Sequence, residues 1–379
     1  MMEGIGPIQL LRESKRIVVK IGTGVLTTSG NQLDEGRIRD LADDLVRLRQ
    51  CGHEVILVTS GAIGAGMGIL GWKERPRDLA GSQAAAAVGQ GRLMQVYNTA
   101  FGKHSVAVGQ ILLTREDLSH RHRYINARQT MRALLKEGAV PIVNENDTVS
   151  VDEIRFGDND ELSALVAHLM GAQMLVILTD VDGFERRVGQ GAREVVPIVE
   201  RITPELERSA GGSVRSTSRG GMVSKLRAAR MATAGGIALL LANGTRPGIL
   251  ASLFVEGHLS GTLFLPTAKR RLAARKGWLA FAGKPRGGIG VDDGAKAALV
   301  QQGRSLLASG VRKVEGSFRP GELVSVRDGS KQEFARGLVN YSSSELERIR
   351  GMKSDEIGSL LGRKAREVVH RNSLVILQL

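Results

Sequence analysis

Along the first two-thirds of the chain, short runs of Val, Ile and Leu alternate with longer stretches whose apolar residues recur every three or four positions. The runs at 16–21, 54–59, 106–113, 140–144, 174–179 and 237–241 show little polar alternation, as strands buried on both faces should. Between them, 34–50, 78–103, 121–136, 159–170 and 222–234 read as helices. This alternation predicts an α/β fold, a mainly parallel sheet sandwiched by helices. Right-handed crossovers then bring the loops after the strands to one edge, where ligands bind in such folds.

The pattern changes near residue 267. Pro266 and the run Lys269, Arg270, Arg271, Arg275, Lys276 read as a connector. Beyond it, short β-like segments at 278–282, 312–315, 323–327, 335–339 and 374–377 are punctuated by glycines, with only short helices between. The expected organisation is therefore a domain over 1–266 and a smaller β-rich domain over 277–379.

A length of 379 residues suits two cores, and 42% hydrophobic with 24% charged residues excludes a disordered or fibrous chain. The single cysteine, Cys51, excludes an internal disulfide and fits a reducing compartment. Charges interrupt the first twenty residues where a signal peptide needs an apolar core. The longest uncharged run, 55–72, carries five glycines and reads as a strand followed by a glycine-rich loop, not as a membrane span. A cytoplasmic protein without membrane attachment is expected. The formal charge of +14 raises the question of RNA, but 22 Lys/Arg and 11 Asp/Glu fall within 267–379, against 31 and 28 in the remainder. Any nucleic-acid argument belongs to the tail, whose aromatic residues are Trp278, Phe281, Phe318, Phe334 and Tyr341.

No Walker P-loop occurs. The formal fingerprint Gly66-Met-Gly-Ile-Leu-Gly71 lies past its strand and lacks the later carboxylate a dinucleotide site needs. Four other segments gather polar groups at strand ends. Lys20, followed by Gly22 and Gly24, suits a phosphate approached by backbone, and equally an edge lysine beside a tight turn. Thr59-Ser60-Gly61 opens a helix and offers backbone N–H groups to an anion, or is a structural turn. Asn144-Glu-Asn-Asp147 and Asp158-Asn159-Asp160 lie close together; a single such cluster is ordinary capping, but two suggest a site for an amino group or a metal. Thr179-Asp180 and the run from Arg219 to Lys225 complete the set. Lys225 falls in the first turn of its helix, where a cation is unfavourable unless an anion sits beside it.

In this order, Val-Lys20-Ile-Gly, Val-Thr-Ser60-Gly-Ala-Ile, Val-Asn144-Glu-Asn-Asp147, Gly-Asp158-Asn-Asp160, Leu-Thr179-Asp180 and Gly220-Gly-Met-Val-Ser-Lys225 resemble the amino acid kinase family, and the tail is similar to a PUA domain. The resemblance runs through nearly the whole chain. It implies an amino acid kinase fold with a PUA-like tail, and transfer of the ATP γ-phosphoryl group to the side-chain carboxylate of glutamate, the first step toward proline. It further implies Mg²⁺ dependence, a homo-oligomer and feedback inhibition by proline. Carried over by position, Lys20 contacts the ATP phosphates, and Ser60, Asp147 and Asn159 bind glutamate. Thr179, Asp180, Arg219, Gly220, Gly221, Met222, Val223, Ser224 and Lys225 bind ATP. Lys20 and Lys225 flank the moving phosphoryl group as catalytic residues, with Asp160 orienting both. No metal ligand is assigned. The chain departs from the family pattern at Gly24, Arg219, Ser224 and the stretch after Asp182, and all but Gly24 touch the expected nucleotide site. Competing readings are another carboxylate acceptor (aspartate or acetylglutamate), RNA binding through the tail, and a sensor of glutamate or proline without turnover. All seven histidines are expected to be structural or on the surface.

Overall fold

In a computed structural model, residues 6–28, 32–150, 159–188, 192–210, 221–267, 272 and 274–377 are described. The chain divides into two compact units, Met1–Leu272 and Ala273–Leu379.

The first unit is built on strands β1 Arg16–Ile21, β2 Glu54–Val58, β3 Val108–Leu113, β4 Val140–Glu145, β5 Met174–Thr179, β6 Glu185–Val188, β7 Ala192–Val195, β8 Ile198–Val199, β9 Ala238–Asn243 and β10 Thr262–Phe264. Eight of them form one sheet in the order β3-β4-β2-β1-β5-β9-β10-β8. Every pairing from β3 through β9 is parallel. β10 then runs antiparallel to β9 and parallel to β8, while β6 and β7 form a separate antiparallel hairpin. The six apolar runs of the sequence are the six parallel strands, their ends displaced by two residues at most. All positions of β4 and β5 are buried, because helices cover both faces.

The helices are α1 Pro7–Arg12, α2 Thr23–Leu26, α3 Glu35–Gln50, α4 Ala62–Ile69, α5 Leu79–Gly102, α6 Arg115–Ser119, α7 Arg121–Lys136, α8 Asn159–Met170, α9 Pro204–Ala210 and α10 Met222–Ala234. Asp34 and Asp78 cap α3 and α5, accepting from the Arg37 and Gly81 amides. The glycine-rich stretch after β2 is helical as α4, whose interior holds Gly66 and Gly68 of the formal fingerprint. Gly66 serves packing. A Cβ at Gly66 would lie 1.8 Å from the Ala85 carbonyl oxygen, and one at Gly89 would lie 1.8 Å from that of Ala62, so α4 and α5 touch along their backbones.

From β1 the chain adds strands on one side of the sheet (β2, β4, β3) and then returns to the other (β5, β9). β1 therefore sits at the topological switch, and the carboxyl ends of β1, β2, β4, β5 and β9 share one edge.

The second unit holds β11 Gly287–Val291, β12 Val311–Gly316, β13 Leu323–Arg327, β14 Glu333–Val339 and β15 Val369–Ile376, ordered β12-β11-β13-β14-β15. All pairings are antiparallel except β11 with β13. One expectation fails here. Trp278–Ala282 is a π-helical turn, not a strand; its Trp278, Leu279 and Ala280 are buried, and a short apolar run carries no periodicity that separates a strand from a buried helical turn. Strand β11 escaped the sequence reading because Gly-Gly-Ile-Gly-Val lacks strand-forming bulk. Its glycines let the neighbouring strand approach, a Cβ at Gly287 coming within 2.4 Å of the Glu315 carbonyl oxygen.

Candidate active site

Two polar clusters meet at the amino end of α8. In the first, Lys20 near the end of β1 points its Nζ to within 2.6 Å of Asp160 Oδ1, and Lys225 in the first turn of α10 lies 3.3 Å from Asp160 Oδ2. Lys20 and Lys225 are 3% and 7% exposed and Asp160 is fully buried. Two cations thus face one anion in a region of low dielectric. Asp160 supplies the negative charge that a lysine at a helix amino end needs.

The second cluster is neutral. Asn159 Nδ2 lies 2.7 Å from the Thr59 carbonyl oxygen, 3.0 Å from Ser60 Oγ and 3.0 Å from Asn144 Oδ1. Strand β2 delivers Thr59 and Ser60, β4 delivers Asn144, and α8 delivers Asn159. Gly61 follows Ser60 with φ of 96°, a left-handed conformation that lets the chain turn from β2 into α4. Asp147 occupies the half-buried turn after β4, beside Glu145, whose carboxylate accepts from Ser150 Oγ at 3.1 Å.

Thr179 and Asp180 close β5, the Thr179 hydroxyl donating to Asp180 Oδ1 at 3.1 Å. A Cβ on Gly24, in α2, would stand 3.2 Å from Asp180 Oδ2, so the glycine leaves the Asp180 carboxylate room. Asp182 accepts from Asn243 Nδ2 and Arg246 Nη2, each at 2.8 Å, which joins the ends of β5 and β9. The stretch after Asp182 packs through Phe184, buried, with its amide donating to Thr262 Oγ1 at 2.7 Å.

Gly221 is the amino-terminal cap of α10, Met222 is half-buried and Val223 is 45% exposed. The buried Ser224 Oγ has no hydrogen-bond partner among the described residues. Arg219 and Gly220, as well as Asp158, lie outside the described residues. Among the described residues, no group of three or more His, Cys, Asp or Glu side chains is placed to hold a metal ion.

Three further side chains lie beneath this site, all on α5, and nothing local in the sequence marks them as part of it. Gln90 Oε1 accepts from Asn144 Nδ2 at 2.8 Å, the Tyr97 hydroxyl sits 2.8 Å from Thr59 Oγ1, and Gln83 Nε2 donates to the Ser150 carbonyl at 3.2 Å. The trace they leave in the sequence is their spacing of seven, within a helix otherwise rich in Ala and Gly.

The model of the amino acid kinase family matches residues 15–243, and the PUA domain model matches 287–361. A glutamate 5-kinase of Pelobacter propionicus is 49% identical over 372 residues, covering 97% of this chain and 99% of that protein. A glutamate 5-kinase of Geobacter sulfurreducens is 50% identical with the same coverage, and one of Moorella thermoacetica is 48% identical over 370 residues, covering 97% of each chain. With a model matching more than half its length and relatives this similar from end to end, the chain belongs to the amino acid kinase family, among its glutamate 5-kinases.

Proposed function

We propose that this chain phosphorylates the side-chain carboxylate of glutamate with ATP. The observation that carries the reading is the division of labour at Asn159 and Asp160. One residue joins the neutral hydrogen-bonding cluster with Ser60 and Asn144, and the next joins the two buried lysines. An amino acid held by the first cluster would present its side-chain carboxylate to a phosphoryl group held by the second.

In the proposed reaction a glutamate carboxylate oxygen forms a bond to the γ-phosphorus as the bond from that phosphorus to the β,γ-bridging oxygen breaks. ADP leaves with that electron pair. The acceptor is ionised at pH 7, with an ordinary glutamate pKa of about 4.3, so no general base is needed. What the reaction demands is positioning and charge compensation. Lys20 and Lys225 meet the charge on the transferring oxygens, and Asp160 holds both ammonium groups in place until the phosphates arrive. Ser60, Asp147 and Asn159 bind glutamate; Thr179, Asp180 and residues 219–225 bind the nucleotide. Mg²⁺, which the family implies, fits as a companion of the nucleotide: with Asp160 engaged by both lysines, its coordination would come mainly from ATP phosphates and water. When bound it neutralises phosphate charge.

The remaining parts of the reading are a catalytic domain over 1–266, a PUA-like domain over 277–379, a homo-oligomer, inhibition by proline at or near the glutamate site, and a cytoplasmic location. Among the described residues no helix is long and apolar enough to cross a membrane. The test is hydroxamate formation with ATP, Mg²⁺, hydroxylamine and, in turn, glutamate, aspartate and acetylglutamate. Signal with glutamate alone supports the reading. Signal with aspartate or acetylglutamate instead moves the acceptor, and none with any acid despite glutamate binding leaves a sensor.

A further inference from the structure

Helix α5 runs beneath the edge of the sheet that carries the substrate cluster, and its polar residues there recur every seven positions. Seven residues are close to two turns, about 10.5 Å of rise, so Gln83, Gln90 and Tyr97 lie along one face. Each reaches a different segment. Gln83 donates to the backbone at Ser150, behind the turn that holds Asp147; Gln90 accepts from Asn144 on β4; Tyr97 meets Thr59 at the end of β2. The helix is fixed against α4, the element that Ser60 and Gly61 begin, by the backbone contacts at Gly66 and Gly89.

Gln90 is the centre of this arrangement. Asn144 Oδ1 accepts from the Glu145 amide at 2.9 Å and faces Asn159 Nδ2 at 3.0 Å, so the other end of the Asn144 amide must be its NH₂ group. That NH₂ donates to Gln90 Oε1, which in turn fixes the Gln90 amide. Gln90 thereby anchors the NH₂ end of Asn144, whose Oδ1 receives Asn159 Nδ2, and Asn159 in turn reaches Ser60. Every member of this relay is at least nine-tenths buried. The second end of Gln90, its Nε2, is buried with no partner among the described residues, so the relay has a spare donor.

We propose that Gln90 is a positioning residue for the amino acid substrate, setting glutamate affinity through Asn144, Asn159 and Ser60 without belonging to the phosphoryl-transfer machinery. This rests on the reading of Ser60 and Asn159 as glutamate-binding. It predicts a separation of kinetic constants that packing alone would not produce.

The experiment is Gln90→Met in the full chain, which keeps the side-chain volume and removes the hydrogen bond. The glutamate KM is expected to rise about tenfold, the effect of one lost buried hydrogen bond, with the ATP KM and kcat within about twofold. In an Asn144→Ala background the same substitution is expected to add less than about twofold, because the relay is already cut. An unchanged glutamate KM in Gln90→Met, equal rises in both KM values, or fully multiplicative effects in the double variant would each overturn the proposal. If Ser60→Ala and Asn159→Ala raise the glutamate KM while Gln90→Met does not, only the role of Gln90 falls. If neither of those two variants changes it, the glutamate site itself is elsewhere and both readings fall. Should Gln90→Met not fold, Tyr97→Phe carries the test by deleting one hydroxyl from the same face. A glutamate-specific KM rise of about threefold supports α5 as the scaffold, and no change overturns it.

Discussion

Lys20 and Lys225 come from different strand–helix units of the sheet and converge on the two oxygens of a single carboxylate, at 2.6 Å and 3.3 Å. A buried pair of this kind adds little net stability compared with a well-packed apolar core, since desolvating the charges consumes most of what their attraction gives. Its value lies in holding two positive charges side by side, dry and oriented, where a phosphoryl group carries its negative charge.

Removing either side of that arrangement separates stability from chemistry. Lys225→Ala is expected to lower the hydroxamate-forming kcat by about 10²–10³-fold, the loss typical of one preorganised electrostatic donor, with glutamate affinity little changed. Asp160→Asn leaves two buried lysines facing a neutral amide and is expected to cost about 3–5 kcal/mol in unfolding free energy. Chemical denaturation checks the second and steady-state kinetics the first. Equal activity losses at Lys225 and at a surface lysine would remove Lys225 from the mechanism.

The packing of α4 on α5 yields a second expectation. At Gly89 even a methyl group would collide with the Ala62 carbonyl at 1.8 Å and the Gly66 amide nitrogen at 2.4 Å, both backbone atoms that cannot swing aside. Gly89→Ala should therefore cost about 1–3 kcal/mol by overpacking and push α4 outward, weakening glutamate binding through Ser60. For a unit of this size each kcal/mol corresponds to about 2–4 °C in Tm, which thermal unfolding resolves. An alanine variant with unchanged Tm would mean the two helices slide without cost.

The parallel sheet was legible because its strands are buried on both faces and leave continuous Val/Ile/Leu runs, and α7, α8 and α10 begin and end where their patterns do. Local sequence was silent where partners are remote. Strands β8 and β10, of two and three residues, exist through pairing with β9 and with each other. Lys20, Asp160 and Lys225 stood out as charges at strand and helix ends. Gln90 and Tyr97 did not, since a glutamine and a tyrosine in a helix acquire meaning only from the strand ends they meet across the fold.

The basic tail leads to a negative expectation. Five of its cations pair with carboxylates of the same unit: Lys296 with Asp328, Arg312 with Asp292, Arg327 with Glu315, Arg336 with Glu333 and Arg363 with Glu345. Trp278, Phe318, Phe334 and Tyr341, four of the five rings the tail offers for stacking on bases, are buried, and Lys296 and Arg363 lie over the rings of Phe334 and Tyr341. Base stacking is what gives single-strand binding its salt-tolerant part. The chain should elute from immobilised single-stranded RNA below about 0.15 M salt, as a purely electrostatic ligand does. Retention above that salt, lost on substituting Phe281, the one half-buried ring of that set, would restore the RNA reading.

Acid should loosen the site through a residue that takes no part in the chemistry. His168, on α8 beyond Asp160, is buried between α8 and α10, and its Nε2 donates to the Met231 carbonyl at 2.8 Å. Gly235 makes room for it, since a Cβ there would meet the ring at 1.9 Å. Burial disfavours the imidazolium and pushes the pKa from 6.5 down to about 4, although the hydrogen bond to Met231 opposes that shift. The unfolded chain therefore binds a proton between pH 6.5 and 4 that the folded chain refuses. Stability is complete above pH 6.5 and falls as the pH drops toward 4, by up to about 3 kcal/mol from this residue alone. His168→Gln keeps a donor for Met231 and has no proton to gain. Its Tm should decline less than that of the unsubstituted chain between pH 6.5 and 4.5, and parallel declines would show that other groups govern the acid limb. Because α8 and α10 carry Asp160 and Lys225, the same window should cost the unsubstituted enzyme activity before it unfolds, through separation of the two helices.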